Sequence, residues 1–318
     1  MQIGYSLSSE ESKPDDLVRY AKRAEEVGFS FALISDHYHP WLRRQGQSPF
    51  VWSVIGAIAQ VTQRLSLGTG VTCPLMRVHP AIIAQAAATA AMMMPGRFFL
   101  GVGTGENLNE HVLGKHWPTI DTRREMLREA VKILRLLWRG GNQSYCGRFY
   151  TVENAQIFSR PETLPQIMVA AASSTAAELA GEIGDGLIST VPKENLVQKF
   201  RASDGGEDKP CYGQMTVCWA STEQTARKVA KEWWSVAAVP GKLMSQLATP
   251  EEFEAASELV GEDKVASSII CGPDPDKHIE EIKSYRQAGF DHIYIHQVGP
   301  DQEGFFRFFE REIRPELD

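Results

Sequence analysis

Within one short stretch, Ser35-Asp36-His37-Tyr38-His39-Pro40-Trp41, the chain brings together a carboxylate, two imidazoles and an indole. An imidazole titrates near neutrality, so it serves as a general base wherever a neighbouring group orients it. A His-x-His pair at a strand end is also a ligand pattern for zinc and related metals, with His292 and His296 available as further ligands. A third reading is structural, with one histidine capping the turn and the other solvated. Pro40 fixes its own φ and keeps His39 extended, which stiffens the stretch in all three readings.

A second candidate is Gly101-Val102-Gly103-Thr104-Gly105-Glu106-Asn107-Leu108-Asn109-Glu110. Its third glycine follows the second by two residues instead of three, so it is not a dinucleotide fingerprint, and without Gly-Lys-Ser/Thr it is not a P-loop. Its glycines let the backbone approach a flat ligand closely, and Glu106 adds a carboxylate there, although a glutamate in a polar loop is most often simply solvated. In Ala170-Ala171-Ala172-Ser173-Ser174-Thr175, small residues and hydroxyls lead into a helix. The free N–H groups of such a start suit a phosphate, while Ser and Thr there are equally ordinary N-caps. Leu67-Gly68-Thr69-Gly70-Val71-Thr72-Cys73-Pro74 permits unusual backbone geometry at a strand end, or only a turn. Lys193 and Lys242 can hold an anion or point into solvent.

These stretches must be positioned by regular elements, and most of them follow an apolar run of strand type. Runs at 3–7, 31–34, 65–71, 98–103, 167–170, 186–189, 215–219 and 292–295 alternate with helical patterns. The alternation predicts an α/β fold, a (β/α)8 TIM barrel, with an open doubly wound sheet as the alternative. Two departures from regular spacing predict insertions. After strand 4 come a polar loop over 104–119, a periodic helix over 123–138 and a hairpin over 142–165. After strand 7 comes a helical insertion over 222–259. In a parallel barrel ligands sit at the C-terminal ends of the strands, where the candidates fall. No linker divides the chain, so 1–318 is expected to be one domain.

Composition narrows the function classes. Of 318 residues, 43% are hydrophobic and 23% charged, an ordinary soluble balance. The formal net charge of −7 argues against nucleic acid or an anionic membrane as the main partner. No apolar run is long enough to span a bilayer, and the N-terminal residues do not read as a signal peptide. Five cysteines (Cys73, Cys146, Cys211, Cys218, Cys271) without a CxxC pair suit a reducing cytoplasm better than a disulfide scaffold.

Taken together, Ser35-Asp36-His37-x-x-Pro40-Trp41, Leu67-Gly68-Thr69-x-Val71, the 101–110 motif, Gly184-Asp185-Gly186 and Pro273-Asp274-Pro275-Asp276 resemble the luciferase-like flavin and deazaflavin oxidoreductases. The likeness is nearest to the branch that includes F420-dependent glucose-6-phosphate dehydrogenase. The resemblance implies a dimeric barrel with the deazaflavin coenzyme F420 across the strand ends. It implies His37 as the base for a substrate hydroxyl, Trp41 packed against the reacting centre, and Glu106 near the ring to handle a proton. Asp36, Thr104, Gly105 and Asn109 would contact the cofactor, with Ala171, Ala172, Ser173 and Ser174 near its phosphate. Gly70, Val71 and Thr72 would also bind the cofactor, with Gly70-Val71 at the place of a cis peptide against the ring. Thr190, Lys193 and Lys242 would hold the substrate, but the arginine that completes a sugar-phosphate site corresponds to Ser268, and a lost guanidinium removes a bidentate phosphate ligand.

The resulting expectation is a cytoplasmic, homodimeric F420-dependent oxidoreductase. It would transfer a hydride between an alcohol, or a sugar phosphate, and the deazaflavin, with no metal, nucleic acid or membrane partner. The alternatives are an FMN-dependent oxidoreductase or monooxygenase on the same fold, a metal-dependent hydrolase built on His37 and His39, and a non-catalytic cofactor-binding protein.

Overall fold

The apolar runs become strands, and the strands close on themselves. In the structure, a computed structural model that describes residues 1–317 except 204, 205 and 207, the barrel strands are β1 (Gln2–Leu7), β2 (Phe31–Ile34), β3 (Ser66–Thr69), β4 (Phe98–Val102), β5 (Ile167–Ala170), β6 (Gly186–Ser189), β7 (Cys211–Cys218) and β8 (His292–Gln297). All neighbours pair in parallel in that order. Ile3 lies opposite Ile293 and Leu187 opposite Cys211, so the ring closes through both β8–β1 and β6–β7. Closure excludes the open sheet.

The outer helices are α1 (Pro14–Val27), α2 (Val51–Val61), α3 (Pro80–Met93), α4 (Ile120–Trp138), α5 (Ser174–Ile183), α6 (Glu194–Arg201), α7 (Pro275–Gln287) and α8 (Gln302–Phe308). Proline opens α1, α3 and α7, where its missing N–H costs nothing. Between strands and helices lies the main apolar core, including Leu17, Ile58, Leu134 and Phe305. Inside the ring Phe31, Leu33, Phe99, Met168, Ile188, Tyr212 and Tyr294 form a second, smaller one. Gly68 makes that interior possible, because a Cβ there would lie 2.0 Å from the Phe99 ring.

Between β4 and α4 a short helix (Asn107–Glu110) and a 3-10 turn (His111–Leu113) occupy the predicted polar loop. The predicted hairpin is present, as antiparallel strands Gln143–Cys146 and Thr151–Ala155. Buried Glu129 of α4 holds it by accepting the backbone N–H groups of Arg148, Phe149 and Tyr150. After β7 come helices Glu223–Trp234, Gly241–Met244, Pro250–Ser257 and Glu262–Ala266, then a two-residue strand, Ile270–Cys271, beside β7.

Several strand limits differ by a residue or two from the sequence expectation, and two of the differences are larger or fall at the site. Strand β7 begins at Cys211, because Gly213 and Gln214 interrupt the apolar pattern while their backbone still pairs with Ile293 and Tyr294. Strand β3 stops at Thr69; the following Gly70–Val71 peptide is cis, and Thr72 rejoins the sheet by a single bridge to Val102.

Candidate active site

The loops after β1 and β2 are fastened together by serines. The Ser9 N–H donates to Ser35 Oγ (2.9 Å), and the Ser9 hydroxyl donates to the Ser35 carbonyl (2.7 Å). Ser35 in turn donates to Glu10 Oε2 at 2.6 Å, and Ser8 adds a second donor at 3.0 Å. The other Glu10 oxygen, Oε1, lies 3.2 Å from His37 Nδ1. Burial favours the neutral acid, but the His37 imidazole and the Ser35 hydroxyl prevail and hold the Glu10 carboxyl below the usual carboxylate range. The Trp41 ring meets His37 edge-on, with centroids 4.8 Å apart. His39 turns away: its Nδ1 donates to the Leu108 carbonyl (2.9 Å) and its ring stacks on His111.

Asp36 is buried and faces the loop after β3. Its Oδ2 accepts the Thr72 hydroxyl (2.8 Å) and its Oδ1 the Arg77 guanidinium (2.7 Å). Arg77 also approaches the buried Glu110 at 3.6 Å, and Glu110 accepts the Arg77 backbone N–H at 2.7 Å. Desolvation raises the Glu110 carboxyl, more than the Arg77 N–H and guanidinium lower it. Thr72 is thus tied to Asp36 immediately after the cis peptide. The Asn109 side-chain carbonyl accepts the N–H groups of Tyr38 and His39, which fixes the 36–39 loop against the 101–110 motif.

Thr104, Gly105 and Glu106 are half-buried beside this network, and Glu106 precedes the short helix as its N-cap residue. The neighbouring surface has no room for side chains: a Cβ on Gly103 would lie 2.8 Å from Val71 Cγ2 and 3.4 Å from Ala170 Cβ. Ala171 is buried beneath the start of α5, with Ala172 and Ser173 exposed and Ser174 half-buried. Ser173 caps α5 by accepting the Ala176 N–H, leaving earlier N–H groups of the first turn for an anion. Small-residue backbone next to a helix start, with a carboxyl group at hand, fits a flat ring carrying a phosphate tail.

The segment after β7 folds over this end of the barrel. Phe253 packs edge-on to Trp41 (5.1 Å), and Arg43 donates from Nε and Nη2 to the same oxygen, Oε2, of Glu254. Asn107 donates to the Gln246 carbonyl and Trp117 to the Ser245 carbonyl. Thr190, Lys193 and Lys242 are all exposed; Lys193 precedes α6, and neither ammonium pairs with a carboxylate among the described residues. Ser268 is also exposed, with its hydroxyl donated to the Lys264 carbonyl.

The metal reading loses two of its four histidines to geometry. His292 opens β8 at the opposite end of the barrel from His37, bonded to Asp291 and stacked on Tyr212. His39 is committed to Leu108, and the described residues contain no His/Cys/Asp/Glu cluster of metal-binding form.

Residues 1–292 match the family model described as luciferase-like monooxygenase. The chain belongs to this family. Curated relatives named F420-dependent glucose-6-phosphate dehydrogenase include those of Microbacterium testaceum (strain StLB037), 37% identical over 100% of this chain and 97% of that protein, and Kribbella flavida (strain DSM 17836 / JCM 10339 / NBRC 14399), also 37% identical over 100% and 98%. Among solved structures, an F420-dependent secondary alcohol dehydrogenase in complex with an F420–acetone adduct superposes with a TM-score of 0.91 at 30% identity, covering 100% of this chain and 99% of that one. The coenzyme F420-dependent tetrahydromethanopterin reductase from Methanopyrus kandleri, at 23% identity and a TM-score of 0.81 over 100% and 99%, shares the fold.

Sequence reasoning missed Glu10, Glu11 and Arg77. A signal existed for the first two, since they follow β1 as Asp36 and His37 follow β2. Arg77 carried none, because its partners Asp36 and Glu110 come from distant loops.

Proposed function

We propose that this chain is an F420-dependent oxidoreductase that transfers a hydride between an alcohol and the deazaflavin ring. The observation that carries the reading is the Glu10–His37 pair beside Trp41. With Nδ1 turned to Glu10, Nε2 is the nitrogen left to meet a substrate hydroxyl. A carbinol C–H gives up its hydride readily only as the O–H proton leaves, so a base at this point is what alcohol oxidation requires. Glu10 stabilises the imidazolium that forms when Nε2 takes the proton. When bound, the deazaflavin supplies a two-electron hydride acceptor. Glu106 holds or releases at its carboxyl the proton that balances the ring's change of charge. Asp36, Gly70, Val71, Thr72, Thr104, Gly105 and Asn109 would hold the ring, and the start of α5 would hold the phosphate tail.

The full-length likeness to F420-dependent relatives supports this cofactor over FMN. The substrate is a small alcohol; Thr190, Lys193 and Lys242 can receive a sugar phosphate, without the guanidinium that Ser268 replaces. The reading extends to a homodimer in the cytoplasm, supported by the family resemblance and, for the compartment, by cysteines that are all free thiols. Titrating the purified protein with F420 and with FMN, followed by an alcohol panel, tests the proposal. Binding of F420 and its reduction by an alcohol are expected; tight FMN binding with no affinity for F420 would overturn it.

A further inference from the structure

Strand β1 lies between β8 and β2, and the two adjacent carboxylates that follow it reach in opposite directions. Glu10 goes to His37 beyond β2. Glu11 goes to His296 of β8: its Oε1 stands 3.7 Å from His296 Nε2, while its Oε2 accepts the Gly299 N–H at 2.9 Å. His296 is two residues beyond Tyr294, which belongs to the interior cluster, so strand alternation turns its ring inward at the catalytic end of the barrel. Trp234 from the covering segment packs edge-on to it at 4.6 Å, and His296 is only 3% exposed.

Both ring nitrogens of His296 and Oε1 of Glu11 are buried without a hydrogen-bond partner in the protein. Buried polar groups are normally paired, and each left unpaired is costly. The separation of 3.7 Å is too long for a direct hydrogen bond. It suits one hydroxyl oxygen placed about 2.8 Å from each, donating to the carboxylate and accepting from an imidazole N–H.

We infer that Glu11 and His296 are specificity-determining residues that cradle a second hydroxyl of the substrate, on the side of β1 away from the hydroxyl that His37 deprotonates. This rests on the proposed alcohol oxidation at His37 and deepens it. The protein is thereby fitted to substrates carrying at least two hydroxyls, and a mono-alcohol leaves the cradle to water. Recognition by buried hydrogen-bonding groups discriminates strongly against analogues that lack the hydroxyl.

The test uses F420-loaded protein and the variants His296→Phe, which keeps a ring without nitrogens, and His296→Gln, which keeps a donor and an acceptor. Turnover is measured with glucose 6-phosphate and with 2-propanol. Binding of 1,5-anhydroglucitol 6-phosphate, which lacks the anomeric hydroxyl, is measured by calorimetry. For His296→Phe, KM for glucose 6-phosphate and Kd for the analogue are expected to rise about tenfold or more, with 2-propanol turnover nearly unchanged, and His296→Gln is expected to recover most of the loss. Equal losses on both alcohols, no loss on either, or no analogue binding by the unmodified protein would each overturn the inference. If the unmodified protein oxidises neither alcohol, alcohol oxidation fails as the reaction, while loss of analogue binding in His296→Phe alone would still uphold the cradle.

Discussion

Oε1 of Glu10 lies 3.2 Å from Nδ1 of His37, and its companion oxygen Oε2 accepts the Ser35 hydroxyl at 2.6 Å. The imidazole is thereby oriented by a carboxylate from the preceding strand's loop, and that carboxylate is itself fixed. Glu10→Gln keeps the shape and removes the charge. Alcohol oxidation in that variant is expected to fall about tenfold to a hundredfold, part of what a positioned base contributes, with F420 binding unchanged. Steady-state turnover together with a fluorescence titration of F420 checks both halves.

Glu10 and Glu110 are expected to give stability opposite dependences on pH. The folded state lowers the Glu10 carboxyl, so its contribution is present above the unfolded carboxylate value of about 4.5 and is lost as pH falls through the folded value. The folded state raises the Glu110 carboxyl, so its proton is held more tightly when folded, and stability falls as pH rises from about 4.5 to that raised value. Urea unfolding across about pH 3 to 8 should show Glu10→Gln flattening the acid limb and Glu110→Gln removing the loss on the other side.

Much of the barrel was legible because each β/α unit carries its own local signals: an apolar run, a proline at a helix start, a glycine at its end. Interaction across loops was not. By residue type alone the two histidines of 35–41 are equivalent, and the family resemblance singled out His37; the physical difference lies in the third dimension, where His37 turns to Glu10 and His39 to Leu108. Arg77 was invisible for the same reason. The expected run for β7, 215–219, started late because Gly213 and Gln214 break an apolar pattern that their backbones do not need, and the strand itself begins at Cys211.

Arg77 stands between Asp36 and Glu110 with a nearly buried side chain. Arg77→Met should leave two buried carboxylates without a counter-charge and destabilise the protein by about 3–5 kcal/mol. Chemical denaturation measures this directly. Thr72→Val, which removes one neutral donor to Asp36, should cost only about 1 kcal/mol.

Gly103 has Val71 Cγ2 2.8 Å and Ala170 Cβ 3.4 Å from where a Cβ would stand. Gly103→Ala should push Val71 toward the ring site. F420 affinity is expected to fall by about tenfold, with a smaller change in melting temperature, because overpacking is felt most where the wall meets the ligand. Comparing the F420 titration with thermal unfolding of the same variant separates the two effects.

Turnover of His37→Ala, set beside His39→Ala and F420 binding by both, tests the assignment of the base. His37→Ala is expected to lose alcohol oxidation by about 10²–10⁴-fold while binding F420 nearly as well as the unmodified protein, and His39→Ala to retain most of its turnover. Unchanged alcohol oxidation in His37→Ala would contradict the role given to the Glu10–His37 pair.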